Sequence, residues 1–132
     1  MLIIRKEIQS DVEAISDITK AAFKNHPYSH NTEQFIINAL RKADALTVSL
    51  VAEIDGKPVG HIAFSPVTFT DGSQNWYGLG PLSVAPNFQR QEIGTKLVNE
   101  GLNLLKDLGA EGVCLVGDPG FYNALVLEAP MA

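Results

Sequence analysis

The hydrophobic period changes twice along this chain, and those changes limit the folds open to it. From residue 11 to 23 apolar residues recur at helical spacing, with Val12, Ile15, Ile18, Ala22 and Phe23 on one side. From Leu46 the period falls to two. Val48, Leu50, Ala52 and Ile54 alternate with Ser49, Val51 and Glu53, which is a strand pattern. Asp55-Gly56 signals a tight turn, and Val59 to Phe69 returns as the antiparallel partner. Asp71-Gly72 marks another turn, and Trp76 to Val84 reads as a third strand of the meander. Helical spacing resumes over 94–108, with Leu97, Leu104, Leu105 and Leu108 as the buried face, Lys106 in the last turn and Gly109 placed to close it. Leu2 to Ile8 suits a first strand, and Val113 to Val116 is short and wholly apolar, as a strand buried on both faces requires. Together these segments specify an α+β fold, a mixed sheet covered by helices.

Local signals refine this outline. Ser10 and Glu13 are spaced for a capping box at the start of the first helix. Pro27 ends that helix, and Asn31 or Thr32 can cap a second one with Phe35, Ile36, Ala39 and Leu40 as its buried stripe. Pro81 removes a backbone donor from the last meander strand, so a bulge or splay is expected between Pro81 and Val84.

Composition excludes several classes of function. The chain has 132 residues, 45% of them hydrophobic, which fits one domain over 1–132 and rules out intrinsic disorder. Ten Lys and Arg against fifteen Asp and Glu give a net charge of −5, unsuited to a broad nucleic-acid surface, charged tRNA included. No apolar run approaches the roughly 18 residues of a membrane helix. The N-terminus lacks the apolar core of a secretion signal, so a soluble cytoplasmic protein without membrane partners is expected. The single cysteine, Cys114, excludes an internal disulfide, and no metal site is expected.

The stretch that carries chemistry runs from Leu82 to Lys96. A strand ends near Ala85-Pro86, a short polar loop follows, and a helix begins near Gly94. The first amides of a helix lack partners within it and sit at the positive end of its dipole, so a loop delivering successive N–H groups there suits a phosphate or pyrophosphate. Gly94 allows close approach of the backbone, and Arg90 can add charge-assisted contacts. The order Gly94-Thr95-Lys96 does not match a P-loop. Gly78-Leu79-Gly80 precedes Pro81 rather than opening a helix, so the dinucleotide fingerprint fails too.

Gln89-Arg90-Gln91-Glu92-Ile93-Gly94 resembles the Q/R-x-x-G-x-G/A signature of the GNAT superfamily of N-acetyltransferases. Leu-Gly-Pro-Leu-Ser-Val before the loop and Gly117 to Tyr122 after the next strand resemble a small bacterial branch of it, and the element order matches over nearly the whole chain. The resemblance implies a central, mostly antiparallel sheet with helices on both faces, splayed between the fourth and fifth strands. It implies acetyl-CoA as co-substrate, with Leu82, Ser83 and Val84 on the splayed strand receiving the pantetheine arm and the Val84 amide facing the thioester carbonyl. Gln89 opens the motif, and the amides of Arg90, Gln91, Glu92, Ile93, Gly94 and Thr95 would hold the pyrophosphate. The chain departs from the pattern in two places. Glu92 stands where the first motif glycine is usual, and the sequence after Tyr122 is short for a closing helix and hairpin. Ala124 to Leu127 supplies at most one strand, so the closing strands are expected to be incomplete. The edge left open invites a second copy, a possible homodimer.

By the same resemblance Tyr122 protonates the departing CoA thiolate, and Asn123 is a candidate hydrogen-bond partner of the pantetheine. Each has a plainer alternative, aromatic packing for Tyr122 and a turn or cap for Asn123. Glu53 and His61 are the candidates for taking the acceptor amine's proton, although alternation turns Glu53 outward and a histidine beside Ile62 is more often a satisfied sheet residue. His26 and His30 are separated by Pro27, which favours a loop rimming an acceptor pocket, with Tyr28, over a metal pair. Cys114, between Val113 and Leu115, reads as a buried small hydrophobe. The expected activity is transfer of acetyl from acetyl-CoA to a primary amine of a small molecule or peptide, directly, in a ternary complex. The alternative is a catalytically weak or inactive CoA-binding or interaction module with the same fold.

Overall fold

The structure, a computed structural model, describes residues 1–24, 33–67, 72, 74–89, 91–115 and 129–130. Its sheet has the order β1-β2-β3-β4-β5-β6, so every strand lies beside its neighbour in sequence. Strands β1 (Leu2–Lys6), β2 (Val48–Ile54), β3 (Lys57–Val67) and β4 (Trp76–Val84) are antiparallel in succession. Strand β5 (Gly112–Leu115) joins β4 in parallel, and the two-residue β6 (Ala129–Pro130) pairs antiparallel with β5. The parallel step needs a crossover, and α3 (Ile93–Asp107) supplies it. Helices α1 (Val12–Phe23) and α2 (Glu33–Lys42) connect β1 to β2. The observed fold is thus the α+β architecture expected. No described helix is long and apolar enough to cross a membrane.

The two faces of the sheet are built differently. Alternation along β2 and β3 turns Leu50, Ile62 and Phe64 towards α3, where they pack with Leu97 and Leu105 in the main core. Burying each such side chain contributes about 1.5–3 kcal/mol. The opposite face carries α1 and α2, and its apolar cluster is small: Ile15, Ile37 and Val51. Much of the rest of that face is polar.

Three expectations about helices are corrected. The inward stripe of α2 is Gln34, Ile37 and Arg41, at i, i+3 and i+7, with Gln34 and Ile37 buried. Phe35 and Ile36 instead stand 60% and 47% exposed, and Ala39 is exposed as well. On that face Ile37 packs with Ile15 and Val51, and Arg41 reaches Glu7. The reciprocal capping bonds form two residues before the Ser10–Glu13 spacing, in the 3-10 turn Gln9–Asp11 that leads into α1. Asp11 accepts from the Ile8 amide at 2.7 Å, and its own amide donates to the Ile8 carbonyl at 2.9 Å. In α3 the inward stripe is Ile93, Leu97, Gly101 and Leu105, while Leu104 is half-buried and Leu108 is 60% exposed. Gly109, at φ +85°, closes α3 as expected by donating to the Lys106 carbonyl.

Candidate functional site

The site begins with a fault in β4. Opposite β3, Leu82 pairs with Ile62 and Leu79 with Phe64, so Gly80 and Pro81 together face the single residue Ala63. That extra residue is a bulge, placed where proline lacks a donor and where Gly80 adopts φ +138°. It also settles side-chain direction. Leu79 and Leu82 are an odd number of residues apart, yet both pack towards the α3 core because the bulge absorbs the mismatch.

Among the described residues, pairing with β5 runs from Trp76 opposite Gly112 to Leu79 opposite Leu115, and pairing with β3 continues to Val84 opposite Gly60. Beyond Val84 the Ala85 amide donates to the Val59 carbonyl at 2.8 Å. In an antiparallel ladder successive residues point their amide and carbonyl to alternate sides. The Val84 amide and carbonyl therefore face away from β3, to the side of the sheet on which β5 lies. Of the bulge or splay expected near Pro81 to Val84, the bulge is present, and the continuation of β5 past Leu115 lies outside the described residues.

A short connection leads from the end of β4 to α3. Pro86–Phe88 forms one 3-10 turn, closed by the Phe88 amide on the Ala85 carbonyl at 2.8 Å. Gln89 follows in extended backbone and donates from Nε2 to the Val84 carbonyl at 3.0 Å. Glu92 then takes φ +65°, the left-handed region that favours glycine, and its side chain is exposed. Helix α3 starts at Ile93. A Cβ added to Gly94 would meet only Leu82 Cδ2 at 3.7 Å and Val84 Cγ2 at 3.9 Å, so this helix end lies directly against the end of β4. The chain thus gathers Leu82, Val84, Gln89, Gln91, Glu92, Ile93, Gly94 and Thr95 around one helix N-terminus. Ser83 points the other way, buried beneath α1 with its hydroxyl 3.3 Å from Thr19 Oγ1. Arg90, Tyr122 and Asn123 lie outside the described residues, as do His26, Tyr28 and His30.

The two candidate bases on the meander bond towards β1 and β2 rather than towards β4. Arg5 donates from Nε to Glu53, on the β1 side of the sheet. His61 is fully buried, with Nε2 2.7 Å from Ser49 Oγ on β2, the strand on the far side from β4. Ser49 gives its one hydroxyl proton to Glu7, so it must accept from a protonated Nε2, and the ring is the Nε2–H tautomer. Its buried Nδ1 has no hydrogen-bond partner among the described residues. Burial lowers the His61 pKa to about 4 against the partial support of the Glu7 charge, so at neutral pH it is uncharged and a weak base.

Sequence reading missed the polar network around His61. Arg41 holds Glu7 through Nη2 at 2.8 Å and Nε at 3.0 Å. Burial alone would raise the Glu7 carboxyl, but hydrogen bonds from Arg41 and Ser49 outweigh it and keep the carboxyl below its ordinary range. Arg5 grips Asp11 with two bonds, at 2.7 and 3.0 Å, and lowers its carboxyl too. Glu7 and Arg41 are 34 residues apart, and no local pattern pairs them. Both line a cleft of about 450 Å³ with Lys6, Ser49, Leu104 and Leu108, at the opposite end of α3 from Gly94. None of the residues gathered at the helix N-terminus lines this cleft. Cys114 is buried, and burial pushes its thiol up, so it is no nucleophile.

A model of the acetyltransferase (GNAT) family matches residues 12–123. The uncharacterized N-acetyltransferase YhbS of Escherichia coli K12 is 33% identical over 128 residues, covering 96% of this chain and 74% of that protein. Among solved structures, a GNAT family acetyltransferase from Brucella melitensis in complex with acetyl-CoA is 45% identical with a TM-score of 0.86. The match covers 100% of this chain and 92% of that one. The E. coli YhbS structure, in complex with CoA, has a TM-score of 0.79 at 33% identity, covering 92% of this chain and 66% of that one. With its mixed sheet, its parallel β4–β5 pair and its motif at the α3 N-terminus, this chain belongs to the GNAT family of acetyltransferases.

Proposed function

We propose that this chain transfers an acetyl group from acetyl-CoA to a primary amine of a small molecule or peptide, directly, in a ternary complex. One observation carries the reading: the Val84 amide faces away from β3, beside a helix N-terminus that packs on the same strand. The relatives from Brucella melitensis and E. coli, solved with acetyl-CoA and CoA, support it.

Acetyl-CoA supplies an activated thioester, and the residues of the chain do the rest. The amides from Arg90 to Thr95, at the positive end of α3, hold the diphosphate, with the Arg90 guanidinium adding charge. The strand edge from Leu82 to Val84 receives the pantetheine arm, and Asn123 hydrogen-bonds it. The Val84 N–H donates to the thioester oxygen and stabilises the negative charge that grows there as the amine attacks, an effect worth about 10²–10³ in rate for a well-placed donor. Tyr122 gives its phenolic proton to the departing sulfur, a role worth about 10²–10⁴. In this reading the chain works as one cytoplasmic domain.

The test is calorimetry with CoA, followed by thiol release from acetyl-CoA across a panel of amines, polyamines, amino acids and peptides. Saturable CoA binding and amine-dependent thiol release are the expected results, and the absence of measurable CoA binding overturns the proposal. Tyr122→Phe should lower turnover while leaving CoA affinity nearly unchanged. Loss of both together removes Tyr122 as proton donor. A second reading, a CoA-binding module without turnover, draws on Glu92, whose carboxylate opposes a diphosphate at this turn. It prevails if CoA binds and neither the native chain nor Glu92→Gly releases thiol.

A further inference from the structure

Val84 turns its amide and carbonyl away from β3, and Gln89 Nε2 donates to that carbonyl at 3.0 Å. The peptide between Val84 and Ala85 is thus held from both ends, by the Ala85 amide on the Val59 carbonyl and by Gln89 on the Val84 carbonyl. Gln89 can do this because the intervening turn is anchored. Phe88 packs against the core, and its amide closes the turn on Ala85.

We infer that Gln89 is a positioning residue for acetyl transfer rather than a contact to the diphosphate. It satisfies the Val84 carbonyl, fixes the orientation of that residue, and leaves its amide as the group offered to the thioester oxygen. The inference rests on the reading of Val84 given above. The chemistry demands a donor at position 89 that can reach back five residues. Glutamine has one, arginine has one on a longer arm, and leucine of similar size has none. Gln89 is exposed, so these replacements leave the core untouched.

The experiment uses the full chain labelled with ¹⁵N, native and as Gln89→Leu and Gln89→Arg. CoA affinity is measured by calorimetry, the Val84 amide resonance is followed on adding CoA and then acetyl-CoA, and kcat is measured with the most active amine of the panel. In the native chain acetyl-CoA should shift the Val84 resonance beyond the shift CoA gives, since only the former carries the acyl oxygen. Gln89→Leu should shrink that difference and lower kcat about tenfold, part of the 10²–10³ a donor is worth. CoA affinity should stay within threefold, and Gln89→Arg should restore most of kcat. A tenfold loss of CoA affinity in Gln89→Leu, or an unchanged Val84 shift and kcat, overturns the inference while leaving the functional reading in place. Failure of the native chain to bind CoA removes both.

Discussion

Two glycines on α3, seven residues apart, should respond in opposite ways to the same added methyl group. At Gly101 a Cβ would lie 2.2 Å from Phe64 Cε2 and 2.7 Å from Cζ, far inside carbon contact distance. Phe64 is fully buried at the centre of the sheet, so its ring has no open space to move into. Overpacking of this kind costs about 1–3 kcal/mol, and an overlap this deep belongs at the upper end. Alanine returns about 1 kcal/mol of helix propensity, leaving Gly101→Ala less stable by about 2 kcal/mol. For a chain of 132 residues, an unfolding entropy of about 2.1 cal/mol/K per residue converts this to a drop in Tm of about 7 °C. At Gly94 the same atom makes only ordinary contacts, at 3.7 and 3.9 Å. Gly94→Ala should therefore melt no lower than the native chain and up to about 4 °C higher. It should nevertheless bind CoA at least tenfold more weakly, because the methyl group occupies the space through which the diphosphate approaches the backbone. Differential scanning calorimetry and titration calorimetry on the two variants decide the matter. Equal melting temperatures would refute the packing of Phe64 on α3. Unchanged CoA affinity in Gly94→Ala would refute the placement of the diphosphate.

Other substitutions probe the rest of the molecule. Glu92→Gly relieves left-handed backbone at φ +65° and should raise stability by about 1 kcal/mol, after glycine's own entropy is counted. It should also tighten CoA binding most at low salt, and a salt-independent affinity in both forms would show that the carboxylate is remote from the ligand. Because the His61 pKa is depressed to about 4 from an ordinary value near 6.5, its contribution to stability is full above about 6.5 and lost as pH falls towards 4. That loss is on the order of 3 kcal/mol. Denaturant melts of native and His61→Gln should diverge over this window, and parallel curves would count against burial of the ring. Glu7 and Asp11, whose carboxyls are lowered, should add a further loss only below their ordinary values, near 4. Arg41→Ala leaves Glu7 without its cation and should cost about 1–3 kcal/mol, with part recovered in Arg41→Ala/Glu7→Gln. Additive losses in that double variant would show that the pair is not coupled.

The meander and the crossover helix were legible because their periods are clear and their turns carry Asp-Gly or Gly signals, and Trp76–Val84 was bounded correctly. The disorder in pairing near Pro81 could be read from one missing donor, and the structure shows it as a two-for-one bulge. What the sequence concealed depends on contacts between distant residues. Phe35 and Ile36 look like a buried stripe by hydropathy, but α2 turns inward Ile37, which packs with Ile15 and Val51, and Arg41, which bonds Glu7. Leu108 follows the helical period yet lies past the end of the face that Phe64 and Leu105 define. In the candidate site, the glycine-like backbone at position 92 was foreseeable from the motif, and φ +65° is what the usual glycine would accommodate. The bond from Gln89 to Val84 was not foreseeable, because it depends on how the turn between β4 and α3 folds back.

The sheet is clamped from its two sides by different forces. On the α3 side the grip is oily and indifferent to acid and salt, whereas α2 is fastened over β1, β2 and β3 through a chain of charge that runs from Arg41 to His61. Mild acid would therefore loosen the α1–α2 layer while the helix that bears Gly94 stays seated, so the molecule would come apart in an order set by chemistry rather than by size.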